Sequence, residues 1–168
     1  MPEIIVLAAI DSNYALGGDN RLLWSYPEDL KRFKTMTTDQ TILMGRNTWE
    51  SLPRKPLPNR KNMVLTSRPD AFKGLSGVEA FTTFKSAIDH CFTSKLFIIG
   101  GAQIYAQAAG LATKVELTRV PVAAELGEVD TWFPIEAYLL EGWKIKGPPK
   151  NPGGVIYETY YGRSTCST

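Results

Sequence analysis

The sequence predicts a single α/β domain built on a mainly parallel β-sheet. Short apolar runs recur along the chain, helix-like segments lie between most of them, and the runs are continuous rather than alternating. Continuous apolar runs are typical of strands that are covered on both faces, as in a parallel sheet flanked by helices. The predicted element order, β-α-β-α-β-β-α-β-α-β, favours right-handed crossover connections.

The apolar runs are the predicted strands, and they comprise residues 4–10, 41–44, 63–65, 96–99 and 115–120. The first run reads as a central strand. It is too short to cross a membrane, and its flanking residues Glu3 and Asp11 do not match a signal peptide. The sequence therefore indicates a strand at this position and no membrane anchor.

Four helices are predicted in the intervening segments: one begins near Arg46, and the other three have the bounds that follow. Residues 27–37 follow Ser25, which lies three residues before Glu28 in a capping-box pattern. Residues 83–92 carry apolar side chains at helical spacing, and residues 101–109 follow the predicted strand that ends at position 99. Each helix would cover one face of the sheet.

The end of the chain has a different pattern. Residues 142–146 and 155–162 contain aromatic residues and alternate between polar and apolar side chains, and a cluster of Gly and Pro lies at 147–154. Alternation around a turn signal is typical of antiparallel strands. The sequence therefore predicts a C-terminal antiparallel hairpin.

Composition narrows the class of protein. The 168 residues suit one domain, residues 1–168, and 43% hydrophobic with 21% charged residues is ordinary for a globular protein. A net charge of +2 indicates no basic face for nucleic acid. Cys91, Cys166 and the lone His90 form no metal-ligand spacing, which predicts no metal site and a reduced, cytoplasmic protein. We expect His90 at the surface.

The chemically suggestive residues follow the predicted strands. They comprise the loop after Ile10, residues 46–48, residues 67–68 and residues 100–101. Ligands of open α/β sheets bind at the carboxyl ends of strands. We therefore expect these residues to converge on one site.

Two arginines in residues 44–62 stand out. Gly45 permits a tight turn after a strand, and Arg46 lies where a helix begins, which suits an anionic group. Arg60 lies at the end of a proline-rich loop that carries Leu57. A cation beside an apolar side chain suits binding of a carboxylate next to an apolar surface. Either arginine alone is also consistent with a solvated surface residue.

The combined order of glycine, arginine, threonine, tryptophan, serine, prolines and arginine in this segment resembles the dihydrofolate reductase family. In that family, the arginine that matches Arg46 contacts a phosphate of NADPH, and the arginine that matches Arg60 holds the glutamate tail of folate. The resemblance extends from Ile4 to Tyr161. It implies a twisted, mainly parallel eight-stranded sheet flanked by four helices.

Asp29 is the candidate acid. It lies in the first turn of a predicted helix with Phe33 on the same face, Leu30 alongside and Trp24 nearby, where desolvation would raise its pKa. The alternative is a surface carboxylate that interacts with the helix dipole. In the family that residues 22–30 resemble, the matching acid hydrogen-bonds the pterin and assists protonation of N5. Its neighbour there is a strand threonine, which matches Thr118.

The loop before Asp29 contains Gly17, Gly18 and Asn20. As a pattern it predicts a flexible turn. In the resembling family a mobile loop at this position closes over the nicotinamide, and the two glycines would act as its hinge. The family usually has proline where this chain has Leu23, which puts the closed geometry in question.

The pair Gly100-Gly101 ends a strand and begins a helix. Such a pair is common in tight turns and lacks the full spacing of a dinucleotide fingerprint, yet it permits close approach to a pyrophosphate or a nicotinamide. In the resembling family the two glycines are joined by a cis peptide against the cofactor. Residues 129–134 match a late strand signature whose role is structural.

The resemblance implies a set of site residues. Three are catalytic: Asp29, Trp24 and Thr118. The substrate-binding set is Leu7, Ala9, Leu30, Phe33, Leu52, Leu57, Arg60, Ile99 and Tyr105. The cofactor-binding set is Ala9, Leu16, Gly17, Asn20, Leu22, Gly45, Arg46, Asn47, Thr48, Thr66, Ser67, Arg68, Ile99, Gly100, Gly101, Ala102, Gln103, Ile104 and Tyr105. For Arg68, a solvated turn residue before Pro69 is an equal alternative.

The implied activity is reduction of dihydrofolate, with hydride passing from C4 of NADPH to C6 of the pterin. The implied partners are dihydrofolate and antifolates such as methotrexate and trimethoprim, with a monomeric protein and no nucleic acid or membrane. Two alternatives remain open: a related pyrimidine reductase of riboflavin synthesis, and a noncatalytic nucleotide- or pterin-binding protein.

Overall fold

The computed structural model describes residues 1–17, 27–121, 129–149 and 154–162. Its helices alternate with strands along most of the chain. They are α1 (Pro27–Thr37), α2 (Arg46–Ser51), α3 (Phe84–Asp89), α4 (Ala102–Ala108) and α5 (Ile135–Leu140), with a short 3-10 helix at Pro69–Phe72. No helix among these residues is both long and apolar enough to cross a membrane.

The strands of the described residues form two sheets. They are β1 (Glu3–Ile10), β2 (Ala15–Gly17), β3 (Thr41–Gly45), β4 (Lys61–Leu65), β5 (Val78–Phe81), β6 (Lys95–Ile98), β7 (Lys114–Arg119), β8 (Thr131–Trp132) and β9 (Ile156–Tyr161). The main sheet has seven strands in the order β5-β4-β3-β6-β1-β7-β9, and β2 pairs with β8 in a two-stranded antiparallel sheet. All neighbours in the main sheet are parallel except β7 and β9.

Strand β1 shows how the core is divided. Ile4 and Val6 belong to a large cluster on one face of the sheet, while Ile5 and Leu7 belong to a smaller cluster that includes Trp49. Successive side chains of a strand point to opposite faces, so a strand that is buried on both sides needs a continuous apolar run. This explains the uninterrupted runs in the sequence.

The α/β class and the mainly parallel sheet are confirmed. All five apolar runs form strands, and the helix predicted at residues 27–37 has the same bounds in the structure. The count of eight strands is corrected to seven in the main sheet plus the separate pair, and the described residues contain five α-helices rather than four. Ser25 of the expected capping box lies outside the described residues.

The predicted C-terminal hairpin is also corrected. Residues 142–149 form no strand, although Trp143 and Ile145 are buried as their alternation implied. The polar backbone groups of Lys146 bond to side chains instead: its N–H donates to Oη of Tyr160, and its carbonyl accepts from Nη2 of Arg119. The last strand, β9, pairs antiparallel with β7.

The structure describes the lone histidine and one of the two cysteines. His90 is exposed, as expected, and its Nδ1 lies 2.8 Å from the carbonyl oxygen of Ser86. Cys91 is buried directly after α3 with its Sγ near Thr93, and Cys166 lies outside the described residues.

Candidate active site

A cavity of about 990 Å³ opens at the carboxyl ends of the parallel strands. Its wall comes from the segments that follow β1, β3, β4 and β6, as expected for an open α/β sheet. The residues that line it are Ala9, Leu16, Gly45, Arg46, Asn47, Thr48, Ser51, Leu65, Thr66, Ser67, Arg68, Thr82, Ile99, Gly100, Gly101, Ala102, Gln103, Ile104, Tyr105, Gln107, Asp130, Thr131 and Trp132. The sequence-predicted residues after three neighbouring strands therefore converge in space.

The floor of the cavity is backbone. Gly45 N donates to the carbonyl of Gly100 at 2.8 Å, and the peptide between Gly100 and Gly101 is cis. A Cβ atom on Gly45 would lie 3.1 Å from Cγ1 of Ile104, and one on Gly100 would lie 3.3 Å from Oη of Tyr105. A Cβ at either position would therefore crowd the side chain of Ile104 or Tyr105, and Gly100 also has a φ of +118°, a backbone conformation that favours glycine.

One end of the cavity carries exposed cations. Arg46 begins α2 and Arg68 lies in the turn after β4, and both are exposed. Within the described part of the chain, neither guanidinium has a hydrogen-bond or ion-pair partner. The turn itself is fixed, since Arg68 N donates to Oγ1 of Thr66 at 3.1 Å. Ser67 is exposed beside them, so this end presents cations and hydroxyls to an anion.

Asp29 lies outside the cavity lining, next to strand β7. Oγ1 of the buried Thr118 donates to Oδ1 of Asp29 at 2.8 Å, and Asp29 itself is half-buried in the first turn of α1. Thr118 is opposite Ala9 in the sheet, and Ala9 lines the cavity. The expected pairing of Asp29 with Thr118 is confirmed.

Tyr105 connects the cavity to the core. Its Oη donates to the carbonyl of Leu7 at 2.8 Å, and its own carbonyl accepts from Oη of Tyr138 at 2.7 Å. Burial, and then the negative charge of Asp29, raise the pKa of Tyr105 far above its usual range. Tyr105 therefore stays a neutral hydrogen-bond donor.

Arg60 is held before any ligand arrives. Its Nε donates to the carbonyl of Pro58 at 2.9 Å, and its Nη1 donates to Oγ1 of the buried Thr37 at 3.2 Å. The guanidinium carbon also lies 5.8 Å from the ring centroid of Phe33. Partial burial lowers the pKa of Arg60 from its ordinary value, and the group remains cationic.

Most apolar residues of the predicted substrate set pack against the same core cluster. Phe33, Leu52, Leu57 and Ile99 are partly buried and pack against the smaller core cluster, to which Leu7 belongs. Leu30 differs, since half of its side chain is exposed. Phe33 connects this group to the guanidinium of Arg60.

Some predicted residues cannot be placed. Trp24, Asn20, Leu22 and Leu23 lie outside the described residues. Gly17 ends β2, opposite Thr131 of β8. The remaining cofactor candidates all line the cavity, with Gln103 exposed at the start of α4.

Sequence reasoning missed several residues. Thr82, Gln107, Asp130, Thr131 and Trp132 line the cavity, although residues 129–134 were expected only to have a structural role. Trp132 is 44% exposed in the two-residue strand β8, which the sequence alone does not reveal.

Asn62 was also missed, and it supports the loop that carries Arg60. It is buried, and its side chain bonds the backbone N–H and carbonyl of Leu57 and the carbonyl of Arg60, each at 3.0 Å. A polar residue inside an otherwise apolar strand was the available signal, since buried amides need partners.

No metal centre is formed by the described residues. Among them, no group of three or more His, Cys, Asp or Glu side chains is arranged to hold a metal ion.

Comparison with known proteins agrees with this geometry. The profile of the family described as dihydrofolate reductase matches residues 3–149. A dihydrofolate reductase of Neisseria gonorrhoeae is 39% identical over 135 residues, covering 80% of each chain. One from Buchnera aphidicola is 38% identical over 149 residues, covering 89% of each, and one from Bacillus subtilis is 42% identical over 119 residues, covering 70% of this chain and 68% of the relative. The chain belongs to the dihydrofolate reductase family.

Proposed function

We propose that this protein reduces dihydrofolate to tetrahydrofolate with NADPH as the hydride donor. The observation that carries the proposal is the carboxylate of Asp29, fixed by Thr118 at 2.8 Å beside a glycine-floored cavity. The named activity of the relatives supports the same reaction. We also propose that residues 1–168 form one domain. The protein would be a cytoplasmic monomer that acts on a small molecule.

The cavity suits a nicotinamide dinucleotide. Its volume of about 990 Å³ is at the upper end of ordinary ligand sites, and Gly45 and Gly100 in its lining carry no side chain that would compete with a ligand. Arg46, Arg68 and Ser67 would hold the phosphate on the adenine ribose, which favours NADPH over NADH. Thr48 and Gln103 would bind the remaining polar groups, and Leu16, Ile99 and Ala9 would contact the nicotinamide.

When bound, NADPH supplies the hydride that passes from C4 of the nicotinamide to C6 of the pterin. The protein contributes orientation and polarity. Asp29 hydrogen-bonds the 2-amino group and N3 of the pterin and assists protonation of N5 from water. Thr118 holds the carboxylate, and the family resemblance assigns Trp24, which lies outside the described residues, a catalytic role beside them.

The other end of the substrate would meet Arg60. A carboxylate of the glutamate tail forms a charge-assisted pair with this guanidinium. Leu57, Leu52 and Phe33, which pack against the core cluster that contains Leu7, would contact the ring system between the tail and the pterin, together with the half-exposed Leu30. The antifolates methotrexate, which carries the glutamate tail, and trimethoprim, which lacks it, would bind at the same place.

The test is oxidation of NADPH by the purified chain, followed by absorbance with dihydrofolate added. Turnover that requires both compounds supports the proposal. Stoichiometric binding of both compounds without turnover would favour a noncatalytic binding protein. Turnover on a pyrimidine intermediate of riboflavin synthesis, with none on dihydrofolate, would favour the related reductase.

A further inference from the structure

An ion pair lies one helical turn from Asp29. Nη2 of Arg32 and Oε2 of Glu116 are 3.0 Å apart, with 26% and 8% of the two side chains exposed. Glu116 also accepts a hydrogen bond of 2.8 Å from Oγ1 of Thr159 on β9. The guanidinium carbon of Arg32 lies 4.4 Å from the ring centroid of Tyr157 on the same strand.

The pair repeats the contact made by the acid. Asp29 and Arg32 are three residues apart on α1, so they lie on the same side of the helix. Thr118 and Glu116 are two residues apart on β7, so they lie on the same face of the sheet. The helix is thus joined to the strand twice, through Asp29–Thr118 and through Arg32–Glu116.

The helix needs such contacts because little of it is buried. Thr37 at its last residue is the only fully buried side chain of α1, and the partly buried Phe33 and Met36 pack against the core from its second half. The first half, which carries Asp29, is held within the described residues by the two polar contacts. Its position along β7 depends on them.

The contribution of the Arg32–Glu116 ion pair to folding stability does not explain its presence. Nη1 of Arg32 is buried and has no hydrogen-bond partner in the described structure. An unmade hydrogen bond of a charged group offsets much of the gain from an ion pair that is partly removed from water. The pair therefore contributes more to the geometry of α1 than to stability.

We propose that Arg32 is a positioning residue: anchored on Glu116, it holds α1 in the register that keeps the carboxylate of Asp29 against Thr118. This inference rests on the proposed function, in which Asp29 orients the pterin. Because Thr159 bonds Glu116 and the guanidinium of Arg32 lies over the ring of Tyr157, strand β9 also supports Asp29. Arg32 acts through Asp29 and touches neither the substrate nor the cofactor in this scheme.

The experiment measures single-turnover hydride transfer in R32M and E116Q, each made in the parent and in the D29N background. Displacing an oriented group lowers rates steeply, so we expect a loss of about tenfold in the parent background. Because the pair acts through Asp29, the same changes in D29N should add less than about twofold. The affinity for NADPH should stay unchanged.

K31M is the matched control, since Lys31 is exposed on the same helix and makes no ion pair within the described residues. It should leave the rate unchanged in both backgrounds. Equal losses from R32M in the parent and in D29N would show a general structural role and overturn the inference. An unchanged rate in R32M and E116Q would also overturn it.

A second readout does not require turnover. The carboxyl ¹³C resonance of Asp29, identified by its loss in D29N, should shift in R32M and E116Q and stay in place in K31M. Shifts without any dihydrofolate turnover in the parent would reject the proposed function and keep the positioning of Asp29 by Arg32. No shift in either variant would reject the positioning itself.

Discussion

The two ends of the candidate site are built differently. At the substrate end, which we define as Asp29, Thr118, Arg60 and Thr37, each charged group already bonds another side chain. At the phosphate end, defined as Arg46, Thr66, Ser67 and Arg68, the described structure gives the two guanidinium groups no partner. One end is fixed before binding, and the other is left to be ordered by its ligand.

Burial explains the difference. Asp29 and Arg60 are half-buried, and polar groups removed from water need partners. Arg46 and Arg68 are exposed, so water satisfies them, and their charges attract an anion from a distance at little cost. In the proposed function, the substrate end would therefore gain specificity from pre-organisation, whereas the phosphate end would contribute attraction that salt screens.

The largest effect should come from the substrate end. In D29N the amide oxygen can still accept the hydrogen bond of Thr118, so we expect the fold to persist. Turnover at neutral pH should fall about 10²–10⁴-fold, the usual contribution of acid–base assistance. The loss should shrink at lower pH, where solvent protonates the substrate. Steady-state rates across pH check this, and activity within about threefold of the parent at neutral pH would contradict it.

The variant R60L should weaken dihydrofolate far more than NADPH. A charge-assisted pair contributes about 1.5–3 kcal/mol, which corresponds to about a tenfold to hundredfold loss of affinity. Methotrexate carries the same glutamate and should weaken in parallel, whereas trimethoprim lacks it and should bind as before. R54L is the matched control, because Arg54 is exposed in the same loop. Equal losses for both inhibitors would remove Arg60 from the glutamate site.

At the phosphate end, the parent should prefer NADPH over NADH by at least about tenfold, the value of one charge-assisted contact. R46A should erase most of this preference and leave dihydrofolate affinity intact. The ratio of kcat/KM for the two cofactors measures the effect. R68A distinguishes the two views of Arg68, since a phosphate contact lowers the ratio and a solvated turn residue leaves it. A parent that uses both cofactors equally would contradict the assignment.

The smallest effect tests pre-organisation itself. T37V removes the hydroxyl that accepts from Nη1 of Arg60 and keeps the shape of a buried side chain. A hydrogen bond is worth about 0.5–1.5 kcal/mol net, so dihydrofolate should weaken about twofold to tenfold. T38V, one residue later and less buried, is the control. Calorimetric binding of dihydrofolate to both variants measures the difference, and equal affinities would show that Arg60 needs no support.

The sequence predicted those parts of the molecule that depend on local pattern. The helix at residues 27–37 and the convergence of Arg46, Thr66 and Gly100 follow from apolar periodicity and from the rule for strand ends. Strand β5 had a place in the predicted element order but no bounds, because its four residues, Val-Glu-Ala-Phe, are too short to show a period. The strand expected at 142–146 failed because its alternation reflects burial of Trp143 and Ile145 without ladder pairing.

Long-range contacts were beyond prediction from the residues alone. The support of Arg60 by Thr37 joins positions 23 apart, and the pair of Arg32 with Glu116 joins positions 84 apart. No local pattern encodes such distances, so the fold has to be known before these partners meet. The contact of Asp29 with Thr118 was expected only because of the family resemblance.

The chain of buried hydroxyls behind the cavity has a consequence for exchange with solvent. Tyr138 on α5 bonds the carbonyl of Tyr105 on α4, and Tyr105 bonds the carbonyl of Leu7 on β1, so three elements are tied in series behind the cavity. Separating them exposes buried hydroxyls and rings together, which makes local opening costly. Amide deuteration should therefore be slowest in this wall and fastest in the exposed turn at Arg68. The binding site would then combine two parts of different local stability. The wall at Tyr105 and Tyr138 would open only on global unfolding, whereas the turn at Arg68 would open by local fluctuation.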